Sequence, residues 1–156
     1  MTNEITPAAV HSVRAVDSLI ANEFVLHIDD EPVTGIFTIS GLTSFKLEVK
    51  TTNQLKKVQA PFKITKMVQR DPNNIFNKWL RETLSVGTDI VRPSRTLTIV
   101  AVDNGVAIRR WVVKKAWVSA VSYSDFDSGS SELIEETIEI QYDDIEESWP
   151  MLEGQG

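Results

Sequence analysis

The residues with the greatest potential for chemistry are four pairs of adjacent acidic side chains and two histidines. The pairs are Asp29-Asp30, Glu135-Glu136, Asp143-Asp144 and Glu146-Glu147, and the histidines are His11 and His27. Two facing carboxylates can serve as acid and base in glycoside hydrolysis. Adjacent residues on a β-strand point to opposite faces, so none of these pairs forms such a site by itself. We therefore expect neither a catalytic nor a calcium site from them.

The sequence also lacks the common catalytic and cofactor-binding motifs. It contains no Cys, which excludes disulfides, thiol nucleophiles and thiolate metal sites. The phosphate-binding patterns GxGxxG and GxxxxGK[ST] and the GxSxG elbow do not occur. His27 lies on an alternating stretch without a second histidine nearby, which favours a surface or interface residue over a metal ligand. The sequence predicts no catalytic residue, no metal and no cofactor, and it favours a structural or interaction role over an enzyme.

Length and composition indicate one globular domain of 156 residues, long enough to bury a core. No apolar run approaches the roughly 18 residues of a membrane helix, and the first residues lack the pattern of a secretory signal. We expect a protein that is produced in the cytoplasm and does not insert into membranes as a monomer. The net charge of −6 opposes binding to nucleic acid, so no specific nucleic-acid partner is expected.

The charge is distributed unevenly along the chain. Residues 46–70 are net basic, with Lys46, Lys50, Lys56, Lys57, Lys63, Lys66 and Arg70 against Glu48. Residues 132–147 carry eight acidic side chains and no basic one. Two interpretations are open. The two stretches form separate solvated faces, or they are complementary patches that join copies of the chain in a fixed register.

Four apolar runs between Arg92 and Tyr142 predict two consecutive β-hairpins. Residues 95–103 and 106–115 flank Asp103-Asn104-Gly105, and Asn-Gly between two such runs is a strong hairpin signal. Residues 116–123 and 132–142 flank a polar, Ser-rich turn. In the last run one face carries Ile134, Glu136, Ile138, Ile140 and Tyr142, and the other, largely acidic, carries Leu133, Glu135, Thr137, Glu139 and Gln141.

The first half of the chain predicts further strands. Residues 22–30 and 33–41 are expected to pair around a turn at Glu31-Pro32. Residues 44–52 alternate apolar and charged side chains, which predicts a strand with one buried and one wet or interfacial face. Residues 62–69 alternate again and are expected to pair with 44–52, with Leu55 to Pro61 as a connector.

A single amphipathic helix interrupts this β pattern. Asp71-Pro72 is a plausible helix start, residues 73–84 have helical spacing, and Gly87 is a plausible stop. Residues 1–21 are expected to form an arm, with a short helix possible over residues 8–20 on a stripe of Val13, Val16, Leu19 and Ile20. Residues 148–156 are expected to form a flexible tail, which leaves 22–147 as the β domain. The predicted core includes Phe24, Leu26, Trp79, Trp111, Trp117, Ile138 and Ile140.

An ordered series of motifs carries a family resemblance. A hairpin ends in Arg110-Trp111, an Ala116-Trp117 step follows, then a turn at Ser128 to Ser131, and then the strand Glu136-Thr137-Ile138-Glu139. This series resembles the contractile tail tube family, which includes myophage tail tubes and the inner tubes of phage-tail-like contractile injection particles. The resemblance extends over about residues 23–147.

The resemblance implies both a fold and a function. The fold is mainly β: two packed antiparallel sheets, a sandwich or nearly a barrel, with one flanking α-helix. Subunits of the family form stacked hexameric rings, and each contributes strands to an inner β-barrel that carries cargo. The implied partners are copies of the chain, contractile sheath subunits, baseplate, tube-initiator and terminator proteins, and cargo. The particle would be a phage tail or a tail-like injector, and the resemblance leaves its release from the cell open. The candidates for assembly or lumen surfaces are Lys46, Glu48, Lys50, Lys56, Lys57, Glu135 and Glu139.

One departure from the family pattern leaves alternatives open. Many relatives carry a Gly-rich, basic insert between the third and fourth strands, and this chain has the short, glycine-free TTNQLKKVQA over residues 51–60. Relatives use this region to reach a neighbouring subunit. The chain is therefore either a divergent main tube subunit or a specialised initiator or terminator copy. A monomeric soluble β-barrel that binds a small apolar ligand is the alternative outside the family.

Overall fold

The computed structural model describes residues 19, 20 and 23–153. The strands are β1 (Phe24–Ile28), β2 (Glu31–Val33), β3 (Ile36–Ser40), β4 (Leu47–Thr51), β5 (Gln54–Lys57), β6 (Phe62–Met67), β7 (Arg95–Asp103), β8 (Val106–Tyr123), β9 (Glu135–Gln141) and β10 (Asp144–Ser148). The helices are α1 (Ile75–Val86) and α2 (Pro150–Glu153). The helix considered for residues 8–20 falls outside the described residues, apart from Leu19 and Ile20, which are not helical.

One long strand organises the fold. β8 has 18 residues; its first half pairs with β7 and β10, and its second half pairs with β9. Lys115, between the two halves, has a positive φ of 52°, and the pairing register with β7 shifts beside it. Such a bulge bends a strand and increases its twist. The two predicted hairpins are confirmed, but residues 106–115 and 116–123 form one bent strand that belongs to both.

The bend in β8 divides the strands into two antiparallel sheets. The first sheet has the order β2-β1-β7-β8-β10, and the second has the order β8-β9-β6-β3. Their facing apolar side chains form one core together with α1. The predicted fold class, two packed sheets with one main helix, is confirmed.

The two tight turns of the first sheet place residues in the left-handed region. In the confirmed turn, Asn104 has a φ of 50° and Gly105 of 76°. The turn predicted at Glu31-Pro32 is wrong, because Asp29 and Asp30 make it instead, with φ of 48° and 67°. A proline cannot adopt positive φ, whereas Asp tolerates it. The Asp29 side chain also accepts a hydrogen bond of 2.9 Å from the Thr96 backbone N–H, which fixes the turn to β7.

The single strand predicted over residues 33–41 is also wrong. The chain leaves the first sheet after Val33 and enters the second at Ile36. Gly35 lies between them with a φ of 82°, and a Cβ there would come within 2.8 Å of Met67 Cγ. Glycine therefore permits the crossover from one sheet to the other.

The predicted core residues fall into two groups. Leu26, Trp79, Ile138 and Ile140 are fully buried, together with Phe62, Ile64, Phe76, Leu97 and Val113. Phe24, Trp111 and Trp117 are partly exposed instead. Trp117 is on the outer face of the second sheet, opposite Gln141, because the buried Ala116 and Val118 take the inner face on either side of it. Phe24 and Trp111 are on the inner face of the first sheet, and alternation does not show how far the opposite sheet extends over them.

The helix begins three residues later than its first predicted cap. Asn74 is the N-cap, and its side-chain oxygen accepts a 2.8 Å hydrogen bond from the Asn77 backbone N–H. Asp71 instead accepts from the backbone N–H of Asn73 and stabilises the turn before the helix. The stop at Gly87 is confirmed, with a φ of 55°.

A buried ion pair joins the second sheet to the helix. Lys66 on β6 and Glu136 on β9 are cross-strand partners, and their side chains are 0% and 5% exposed. Lys66 Nζ lies 2.8 Å from Glu136 Oε1, donates to the Met67 carbonyl oxygen at 2.9 Å, and lies 5.0 Å from the centre of the Phe76 ring. Burial and the negative charge of Glu136 raise the pKa of Tyr123, whose side chain hydrogen-bonds that carboxylate. These contacts satisfy both charges and fix the register of β6 against β9.

Removing one partner of this pair should be costly. Lys66→Met leaves the Glu136 carboxylate buried without its cation, so we expect the free energy of unfolding to fall by about 3–5 kcal/mol. Lys66→Met combined with Glu136→Leu removes both charges and should recover most of that loss. Lys50→Met, which removes an exposed lysine, is the control and should leave stability nearly unchanged. Urea denaturation measures all three, and a double variant less stable than Lys66→Met would contradict this account.

Candidate assembly interface

The structure disperses the acidic pairs noted in the sequence. Asp29 and Asp30 form a turn, and Glu135 is exposed on the face opposite the buried Glu136. The acids of β10 contact separate partners: Asp144 lies 2.8 Å from Lys57, and Glu146 lies 2.6 Å from Lys114. Among the described residues, no three acidic or histidine side chains come together as a metal site. Within the same part of the chain, no helix has the length and apolar character needed to cross a bilayer.

The β4–β5 hairpin differs from its prediction. β4 pairs with β5, and not with β6, which pairs with β3 and β9. Residues 54–57, expected as part of a connector, are therefore a strand. Alternation predicted β4, but no Asn-Gly-type turn follows it in the sequence, and Thr52-Asn53 makes the turn instead.

Every residue of this hairpin is exposed. Leu47, Val49 and Leu55 share one face, where Val49 and Leu55 are 70% and 65% exposed. The opposite face carries Glu48 and Lys56. The apolar face that was predicted to be buried is thus uncovered in the single chain. A two-stranded hairpin without a packed face is marginally stable in water, so this one needs a surface to cover it.

Polar contacts hold the base of the hairpin against β10. Lys57 Nζ lies 2.8 Å from Asp144 Oδ1, and Gln59 Nε2 donates to the Asp143 carbonyl oxygen at 2.7 Å. Ser44 Oγ donates to Glu147 Oε1 at 2.6 Å. The basic and acidic stretches therefore meet within one chain. Part of the charge complementarity between these two stretches therefore acts within one chain. Neither interpretation of the sequence, separate solvated faces or patches that join copies, included such contacts.

Two acids at this base have lowered pKa values. The hydrogen bond from Lys57 lowers the pKa of Asp144 below its usual 3.8. The hydrogen bond from Ser44 lowers the pKa of Glu147 below its usual 4.5, and those from Arg109 and Trp111 act in the same direction. Trp111 Nε1 donates to Ser44 Oγ at 2.9 Å and to Glu147 Oε1 at 3.1 Å, so its indole reports directly on this anchor.

The outer face of the second sheet is polar. Glu139 on β9 lies opposite Lys63 on β6, and its carboxylate accepts a 2.8 Å hydrogen bond from Ser119 Oγ. Most other outward positions carry small or hydroxyl side chains, and three carry larger ones; the small or hydroxyl residues are Thr38, Ser40, Thr65, Ala120, Ser122 and Thr137, and the larger ones are Met67, Trp117 and Gln141. Glu135 and Glu139 are therefore on one face, whereas Lys46, Glu48, Lys50, Lys56 and Lys57 are on the β4–β5 hairpin.

The second sheet ends in two open edges. β3 pairs with β6 on one side, and residues 117–123 of β8 pair with β9 on one side. Within the described part of the chain, neither has a strand on its other side. The sequence pattern predicted the strands, but the position of a strand within a sheet is a tertiary feature that local alternation does not encode.

These features coincide with a family match over most of the chain. The profile of the family described as T4-like virus tail tube protein gp19 matches residues 20–146. The chain belongs to this tail tube family. The matched range contains both sheets, α1 and the β4–β5 hairpin, so the resemblance drawn from the motifs of residues 95–146 is confirmed.

Solved structures share the fold of this tail tube family member. A chain of an extracellular contractile injection system, the PVC sheath-tube complex in the extended state, has a TM-score of 0.63 and 14% identity over 89% of this chain and 97% of its own. A chain of the anti-feeding prophage tube-terminating cap gives 0.62 and 16% over 85% and 91%. Hcp1 from Flavobacterium johnsoniae gives 0.53 and 11% over 81% and 94%. No curated protein sequence matches the chain.

We expect the hairpin anchor to loosen in acid. Because the folded-state pKa of Glu147 is lowered, its stabilising contribution is fully present above the usual value of 4.5 and is lost as the pH falls through the lower folded value. The indole N–H resonance of Trp111 should therefore shift with a midpoint below pH 4.5.

Two variants separate this titration from general acid unfolding. Glu147→Gln should abolish it, whereas Glu146→Gln, which alters a neighbouring acid paired with Lys114, should leave it in place. A midpoint at or above the usual glutamate value, or a titration that persists in Glu147→Gln, would contradict the assignment.

Proposed function

We propose that six copies of this chain close into a ring, and that the rings stack into the inner tube of a contractile injection system or phage tail. The observation that carries the proposal is the pair of open edges on the second sheet, β3 and residues 117–123 of β8. Membership in the tail tube family supports the same assembly.

The two edges are suited to pair with each other. They lie at opposite ends of one four-stranded segment, so β3 of one copy can meet β8 of the next in the same order around a ring. A contact between two different surfaces closes into a ring when the rotation fits. Closure satisfies the backbone groups of both edges and removes the hazard of uncontrolled strand addition.

In such a ring the outer face of the second sheet lines the channel. That face carries hydroxyl and small side chains with Lys63 against Glu135 and Glu139, which leaves one net negative charge per copy. Alternating strands can face an apolar core on one side and an aqueous lumen on the other. Apart from Met67 and Trp117 at opposite ends of the strands, this weakly acidic wall offers little apolar surface to which passing cargo could adhere.

The β4–β5 hairpin is then the contact between subunits of adjacent rings. Its apolar residues Leu47, Val49 and Leu55 have no cover in the single chain, and relatives use this region to reach a neighbour. The outer surface of the tube, which includes α1, faces the contractile sheath. Baseplate, initiator and terminator proteins contact its ends, within a phage tail or a released tail-like particle.

The solved structures do not separate a main tube subunit from a specialised end subunit. The sheath-tube chain and the tube-terminating cap chain give nearly the same TM-scores, 0.63 and 0.62. We favour the main tube, because an open edge at each end of the second sheet and an uncovered hairpin suit contacts repeated around and along a tube. Long helical tubes formed by the purified protein would support this choice, whereas single rings would indicate the initiator or terminator copy.

Engineered cysteines test the ring closure directly, because the natural chain has no Cys. Thr38→Cys places a thiol on β3, and Ser122→Cys or Ala120→Cys places one on the open side of β8. Within one chain, Thr38 on β3 is separated from Ala120 and Ser122 on β8 by three strand spacings, about 14 Å, which is too far for a disulfide. Between copies, paired edges bring them within reach, so mild oxidation should give a covalent ladder of up to six subunits on a denaturing gel.

The single-cysteine variants are the matched controls. In a ring built from two different edges, Thr38 does not meet Thr38 of a neighbour, so single variants should stay monomeric on the gel. Cross-linking by the single variants alone would indicate a two-fold contact and would contradict the proposed closure.

The lysines of the hairpin provide a second test. Lys46 and Lys50 are exposed, so Lys46→Glu with Lys50→Glu should change the stability of the monomer by less than about 0.5 kcal/mol. We expect the same double variant to impair stacking, because it reverses the charge on the contact. Negative-stain imaging counts tubes, and circular dichroism checks folding. Arg70→Glu with Lys78→Glu makes the same charge change elsewhere on the surface and should assemble normally. Normal assembly of the hairpin variant at low and high salt would exclude these lysines as contacts.

A further inference from the structure

An apolar groove remains open at one end of the core. It has a volume of about 440 Å³ and lies between β1, β7 and β8 of the first sheet and β3 of the second. Its walls include Phe24, Phe37, Ile99 and Trp111. Phe24 and Trp111 are two of the predicted core residues that the structure leaves partly exposed, and Phe37 is 41% exposed. The core is therefore incomplete at this end.

The chain itself leads into this groove. Leu19 and Ile20 line it, and these apolar side chains are still 45% and 40% exposed there. A backbone hydrogen bond of 3.1 Å from Val102 N–H to the Glu23 carbonyl oxygen fixes the point where the chain joins β1. Because Leu19 and Ile20 line the groove, a segment covalently attached to Leu19 has a high effective concentration near it.

The sequence of that segment matches the chemistry of the groove. By helical spacing, Val13 and Val16 share a stripe with Leu19 and Ile20, whereas His11, Arg14 and Ser18 fall on the opposite face. Leu19 and Ile20 themselves are not helical, so such a helix would end before them. A short helix with this pattern buries its valines only if an apolar surface receives them, because an isolated helix of this length is marginal in water. The groove is such a surface, and it is continuous with the last two residues of the stripe.

We propose that residues 8–18 cover the groove of their own subunit and complete its core, before and independently of any ring formation. The occupant is the same chain and not a neighbour, since the covalent attachment to Leu19 places this segment near the groove at any protein concentration. The β4–β5 hairpin of another copy is the competing occupant, because it too presents uncovered apolar side chains.

A thiol in the groove distinguishes these occupants. Phe37→Cys provides the only thiol in the chain, and its rate of modification by a small reagent reports how often the groove is open. In the monomer at low concentration we expect modification to be slow. Deletion of residues 1–18, or Val13→Asp with Val16→Asp in the full chain, should accelerate modification of this thiol on the order of tenfold. The modification rate follows the fraction of molecules in which the groove is open, so this result corresponds to a tenfold increase in that fraction.

Matched controls separate covering from loss of folding. His11→Asp with Ser18→Asp adds the same two charges to the opposite face and should leave modification slow. In a separate series without Phe37→Cys, a reference thiol at Lys50→Cys on the exposed hairpin should react at the same rate in the full chain, the deletion and both pairs of Asp substitutions. Circular dichroism confirms that each variant is folded.

Two results would overturn the proposal. Equal modification of Phe37→Cys in the full chain and in the Val13→Asp/Val16→Asp variant would show that the segment does not cover the groove. Protection that appears only when the protein concentration is raised or tubes form would assign the groove to a neighbouring copy. The first comparison is made on the monomer at low concentration, so a failure of ring formation leaves its result interpretable.

Discussion

The structure depends on a set of backbone hydrogen-bonding groups that one chain leaves without partners. They lie along β3 and along residues 117–123 of β8, the two ends of the second sheet within the described part of the chain. Isolated edges of this kind invite uncontrolled pairing. The remaining features are consistent with a chain built to pair them with copies of itself. β8 is bent so that its second half reaches an edge, the outer face of that sheet is polar, and the hairpin of β4 and β5 presents its apolar side to the outside.

Local signals in the sequence predicted most of the elements, and tertiary features account for the errors. Asn104-Gly105 fixed a hairpin because both turn positions need positive φ, and alternation placed Ile138 and Ile140 inside. The crossover at Gly35 was missed, since a strand that changes sheets alternates as regularly as one that does not. β5 was missed because it is a short strand with a single apolar residue, Leu55, whereas strands were predicted from apolar side chains that recur at alternate positions.

The candidate surfaces were only partly accessible to the same reasoning. Periodicity assigned Glu135 and Glu139 to one face, and the structure places both on the outer face of the second sheet. It did not predict that Lys56 and Lys57 lie in a strand, where they fall on opposite faces of the hairpin. It did not show that Lys57 and Ser44 would contact the acidic β10 of their own chain. Nor did it single out Lys66, whose charge lies inside the core beside Glu136. Pairing partners between distant segments depend on strand order, which the motif series of the family indicates and alternation does not.

Amide hydrogen exchange tests the central claim most directly, because it reports on the unpaired backbone groups themselves. Exchange would be followed residue by residue in β3 and in residues 117–123, first in the dilute monomer and then in assembled particles. We predict fast exchange at alternate amides of both edges in the monomer and strong protection of the same amides after assembly, with β6 and β9 protected in both states. Edges that are already protected in the monomer, or that remain unprotected in the assembly, would contradict the account.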